Sequence, residues 1–231
     1  MAAPSESAIA DDSSPRIKIR IESLSDLIFG LALSIGSLEF LSNPAQNATT
    51  LVINIAFFGF SFLILVSTWL GYSRTMAVIP QERAETLYLN LALLFLVAIE
   101  PYLFFVLVTA KADALANVSS TAYGLDVGSM FLIQAALSHI VITEDKESAK
   151  LGHKRLNVVI IRRFRGTRTA EIVIGLAYFL SVLPIFWQIE TPVGPARFIF
   201  WWASFSILFV VRSRIRMKQE TKGKSEQKVA S

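Results

Sequence analysis

One stretch limits what this chain can become. Residues 17–41, IKIRIESLSDLIFGLALSIGSLEFL, form an apolar run long enough to cross a bilayer, for which about 20 residues suffice. The run also carries Arg20, Glu22, Asp26 and Glu39, with hydroxyls at Ser23, Ser25, Ser34 and Ser37. Ionisable groups at membrane depth are costly and face protein or water rather than lipid. On a helix of 3.6 residues per turn, Leu27, Leu31, Ser34, Ile35 and Leu38 share one stripe. Asp26 points to roughly the other side, at 100° per residue. Gly30 and Ser37 are small and permit close approach by a neighbouring helix.

Apolar runs of similar length recur along the chain. They predict spans at about 51–72, 87–110, 122–143, 170–189 and 193–211, the last being the shortest. With 53% hydrophobic and 17% charged residues, the composition agrees with an all-α, polytopic membrane protein of six transmembrane helices. Pro101 and Pro184 fall inside expected helices and should kink them. Residues 1–15 are polar and acidic (Asp11, Asp12) and read as a disordered tail rather than a signal peptide, which needs a basic start. Residues 16–216 make up the expected six-helix domain, and 217–231 a basic tail.

The basic residues report topology. All but Lys111 and Arg197 of the 22 lysines and arginines lie before the first span, after the second, between the fourth and fifth, or after the sixth. Six crossings with both termini cytoplasmic satisfy the positive-inside rule. The connection from Lys146 to Arg168 and the tail from Arg212 onward can also attract anionic lipid headgroups, at about 1 kcal/mol per well-placed cation. The net charge of +4 does not point to nucleic acid.

Catalysis finds little support. The absence of cysteine excludes disulfides and thiolate chemistry. The two histidines are far apart, and neither a nucleophile–base pair nor a phosphate-binding glycine loop occurs, so no catalytic residue, metal site or cofactor is expected. His139 reads as a satisfied histidine rather than a ligand. Asn47-Ala48-Thr49 and Asn117-Val118-Ser119 match a glycosylation pattern that is frequent by chance. Glu100 is the exception. It sits mid-span beside Pro101, where an intramembrane carboxylate is a candidate functional group. It supports an alternative reading of the chain as a secondary transporter or proton-coupled carrier.

Arg20-x-x-x-Leu24-Ser25-Asp26 resembles the Arg-x-x-x-Phe-Ser-Asp signature that opens the first helix of the transmembrane protein 175 family of potassium channels. The resemblance continues through LIFGLALSIGSLEF and is echoed by Ser61 and Trp69 in the second span and by Asn90 and Pro101 in the third. It implies a prokaryotic single-repeat member in the cell membrane. Such a member is a homotetramer conducting potassium passively through a central pore lined by the first helix. In that reading Leu31, Ile35 and Leu38 form the constriction, with Ser34 at the family's hydroxyl-bearing layer. A ring of aliphatic side chains gates by dewetting, and it needs several copies around an axis. Arg20, Ser25, Asp26, Trp69 and Tyr72 would form a structural polar network. Tyr72 stands where the family has histidine. Glu39, near the outer end of the helix, would add an acidic ring at the mouth, or an ordinary solvated charge.

Overall fold

The computed structural model describes residues 6–42, 45–79, 84–110, 112–151, 156–191 and 194–207; in the first helix, side chains are described for residues 19–38. The described residues are almost entirely helical. Helices α1 (Glu6–Ser42), α2 (Ala48–Met76), α3 (Ala84–Thr109), α4 (Asp113–Lys150) and α5 (Val158–Ser181) are followed by the single turn α6 (Ile185–Gln188). A two-residue hairpin comes next, β1 (Glu190–Thr191) against β2 (Gly194–Pro195), and the backbone is helical again over 196–207.

Helices α1 to α4 each contain a segment long and apolar enough to cross a membrane. They account for four of the six expected spans. In α5 the charges Arg165, Arg168 and Glu171 interrupt the apolar run, although Val173, Leu176 and Leu180 still form an exposed apolar face. The sixth expected span is helical as far as residue 207, and the basic tail 217–231 lies outside the described residues.

Several boundaries differ from expectation. The first helix begins at Glu6, within the segment read as a disordered tail. A helix propagates at one hydrogen bond per residue once nucleated, so the apolar span carries its polar flank with it. Pro184 does not kink the fifth helix. That helix stops at Ser181, and Pro184 caps the separate turn of α6, since proline has no N–H to continue a helix but fits its start. The basic stretch Lys146–Arg168 is not a loop throughout. It comprises the last turn of α4 and the first turns of α5. The turn between them is tied by Asp145 Oδ1, which accepts from Leu156 N at 2.9 Å. Helix starts follow local chemistry: Asn47 caps α2 by accepting from Thr50 N at 2.8 Å, and Asn157 caps α5 by accepting from Val159 N at 2.9 Å.

α4 is the central post. Of its most apolar window 61% is buried, against 22% in α1 and in α2. Tyr123, Val127, Met130 and Leu137 along it are wholly buried. Lipid is as apolar as leucine, so close packing and interhelical hydrogen bonds hold such bundles together. Small residues permit the approach of α5. A Cβ at Gly175 would meet the Gly128 carbonyl oxygen at 3.0 Å and Leu132 at 2.8 Å. α2 is tied to α4 by Gln134, whose Nε2 donates to the Thr68 carbonyl at 3.0 Å.

Candidate pore face and its supporting network

α1 has two distinct faces. Ser25, Phe29, Ala32 and Gly36, spaced four, three and four residues apart, are all buried. All four fall within an arc of about 60° at 100° per residue. They pack towards α2 and α3: Phe29 lies 5.8 Å from the Tyr72 ring, and Gly36 admits Phe58. The opposite stripe is uncovered. Leu27 (68% exposed), Leu31 (54%), Ile35 (39%) and Leu38 (55%) project away from the subunit. The described part of one chain therefore leaves an aliphatic ridge exposed along α1.

Ser34 lies on that ridge and is exposed. Its hydroxyl donates to the Gly30 carbonyl at 2.8 Å. A serine has one proton and two lone pairs, so the proton is committed to the helix while the lone pairs stay free to accept or to meet a cation. The Ser34 carbonyl is in turn occupied by the Ser37 hydroxyl at 2.7 Å.

Four residues expected to interact do meet. Trp69 Nε1 donates to Asp26 Oδ1 at 2.9 Å, at an exposed edge of the α1–α2 contact. Ser25 Oγ and Tyr72 Oη are 2.6 Å apart in the buried part of the same contact. Ser25 donates to the Ile21 carbonyl at 2.8 Å. Its only proton is thus used, and Tyr72 must donate to Ser25. Arg20 joins none of these bonds. It is exposed and precedes Leu38 by about five whole turns, which puts it at the azimuth of the aliphatic ridge. The Glu39 side chain lies outside those described.

Glu100 is fully buried in α3. Its Oε1 accepts from Ser61 Oγ of α2 at 2.7 Å and from Tyr123 Oη of α4 at 3.1 Å. His139 is exposed, and its Nδ1 lies 2.9 Å from Arg168 Nη1. Arginine can only donate, so Nδ1 accepts and the ring proton sits on Nε2.

Four buried ionisable residues were not anticipated: Asp126 and Asp145 of α4, Glu171 of α5 and Arg197. Asp126, Glu171 and Arg197 fall inside expected spans, and a charge inside an apolar run was the available signal. Arg197 is wholly enclosed. Its guanidinium donates to the Ser181 carbonyl (2.8 Å), Ser120 Oγ (2.6 Å), Thr121 Oγ1 (3.0 Å) and the Val182 carbonyl (3.2 Å), and stands 5.5 Å from the Trp187 ring. It clasps the start of α4 to the end of α5.

The family model described as endosomal/lysosomal potassium channel TMEM175 matches residues 20–101, the segment from Arg20 through Pro101 that holds both faces of α1 and the bonded residues of α2. No curated protein matches the chain. A solved structure titled as a lysosomal potassium-selective channel TMEM175 homologue from Chamaesiphon minutus shares the fold, with a TM-score of 0.54 at 19% identity. The match covers 88% of this chain and 98% of that one. Residues 20–101 are thus similar to the TMEM175 channel family, and this integral membrane protein shares its fold with a channel homologue over nearly the whole length of both.

Proposed function

We propose that the chain is a potassium-preferring cation channel in which four copies meet around an axis and present the exposed face of α1 to a central pore. The family match and the fold of a potassium-selective homologue support the channel class. The observation that carries the pore assignment is the two-faced α1, with Ser25, Phe29, Ala32 and Gly36 packed inward and Leu27, Leu31, Ile35 and Leu38 uncovered. In the assembly Leu31, Ile35 and Leu38 form the constriction, and water leaves a narrow aliphatic neck before an ion can enter it. Ser34 supplies the oxygen lone pairs of the neck. Glu39 stands at the mouth, where a ring of carboxylates concentrates cations. Asp26, Trp69, Ser25 and Tyr72 fix the angle at which α1 leans on α2.

The test is potassium flux into liposomes containing the purified protein, with no coupling ion supplied, alongside the mass of the detergent-solubilised particle. Passive flux from a fourfold particle is the expected result. A monomeric particle, or uptake that requires a second ion, refutes the reading.

A further inference from the structure

The aliphatic ridge of α1 carries a charge at one end. Arg20 is exposed and lies at the start of the apolar span Ile19–Leu38. It precedes Leu38 by about five whole turns at 3.6 residues each, so the two share one azimuth. Between them Leu24 (51% exposed), Leu27 and Leu31 stay within about 40° of that line at 100° per residue. The helix is unbroken over this stretch, so the register holds from the charge to the ridge.

The charge of Arg20 is not cancelled within its own chain. The nearest carboxylates in sequence, Glu22 and Asp26, lie about 200° and about 240° round the helix. Asp26 accepts from Trp69 Nε1 at 2.9 Å. No described residue bonds to the Arg20 guanidinium or pairs with it. A cation at the edge of the hydrocarbon faces water or a protein-lined cavity rather than lipid tails. At 1.5 Å per residue, Arg20 stands about 16 Å along the axis from Leu31, on the side away from Leu38. We infer that Arg20 places a ring of guanidinium charges at the N-terminal mouth of the pore, where it impedes cation entry and makes conduction asymmetric. This rests on the reading of α1 as pore-lining. Take a cation about 10 Å from each of four such charges, at 0.1 M salt with a screening length of about 10 Å. It is depleted about threefold at that mouth. At 1 M salt the screening length falls to about 3 Å and the depletion vanishes.

The test is single-channel recording in planar bilayers with equal potassium chloride on both sides, comparing currents at opposite voltages of equal size. Wild-type currents should differ about threefold or more at 0.1 M and converge at 1 M. Arg20→Gln should lower the ratio about threefold at 0.1 M, and Arg20→Lys should keep it. The chain has no cysteine, so Arg20→Cys offers a single thiol. On one and the same channel, a cationic methanethiosulfonate reagent should raise the ratio and an anionic one should lower it, each from one side of the bilayer only. Absence of passive potassium current overturns the pore reading and this inference together. Current that is present but equal in both directions at 0.1 M overturns this inference and leaves the pore reading standing. So does a ratio in Arg20→Gln matching wild type, or the same response of Arg20→Cys to both reagents.

Discussion

Replacing Arg197 with methionine keeps most of the volume and removes every hydrogen bond of the clasp between α4 and α5. The acceptors do not suffer equally. The Ser181 carbonyl and Ser120 hydroxyl bond Arg197 at buried positions, whereas the contacts to Thr121, Asn117 and Val182 are part-buried. Each buried acceptor left unpaired costs about 1–3 kcal/mol. Methionine needs no dehydration of a guanidinium, which offsets part of this. The net expectation is a loss of about 3 kcal/mol, equivalent to about 6–12 °C in melting temperature for a chain of this size. Arg197→Lys keeps the charge but lacks the planar fork that spans Ser181 on one side and Ser120 on the other, so it should recover no more than about half of the loss. Melting in detergent, followed by tryptophan fluorescence, provides the assay. A methionine variant within about 2 °C of wild type, or a lysine variant as stable as wild type, refutes the reasoning.

The other predictions concern α1, α2 and α5. Leu38→Ser places a hydroxyl in the aliphatic neck and should raise potassium flux into liposomes, with an unchanged or lower flux counting against the pore assignment. Tyr72→Phe removes the proton that Ser25 accepts in the buried α1–α2 contact and should lower stability by about 1–2 kcal/mol; an unshifted melting curve would show that the bond contributes nothing. Gly175→Val should destabilise by about 2 kcal/mol or more, because its side chain meets Leu132 and the Gly128 carbonyl. On the same helix, Gly166→Ala meets no atom within 4 Å and should stabilise by up to about 1 kcal/mol through helix propensity. Melting temperatures that move in the same direction for the two glycine variants would refute the packing argument.

Much of α1 was legible because helical periodicity is a local property. The spacing of Leu31, Ser34, Ile35 and Leu38 puts them together wherever the helix lies, and the exposed ridge is that stripe. The motif from Ser25 to Trp69 was legible because its residue types match a known pattern, even though Arg20 turned out to stand apart from the bonds. What stayed hidden depends on relations between helices. Nothing in the run around Glu100 says that Ser61 and Tyr123 meet it from other helices. Arg197, counted only as one of two cations on the outer side, is the centre of a six-oxygen cage because the ends of α4 and α5 converge there. Pro184 was read by its place in an apolar run, but the helix had already stopped at Ser181.

The glycine-on-glycine crossing constrains how this subunit can deform. Where Gly128 meets Gly175, no side chain stands between the two backbones to tilt or re-seat. The two helices form a stiff double strut, able to pivot together but with no slack to slide against each other. α1 has the opposite character, with one flank packed and the other exposed among the described residues. Flexing of the subunit should therefore fall on its first helix more than on the α4–α5 pair.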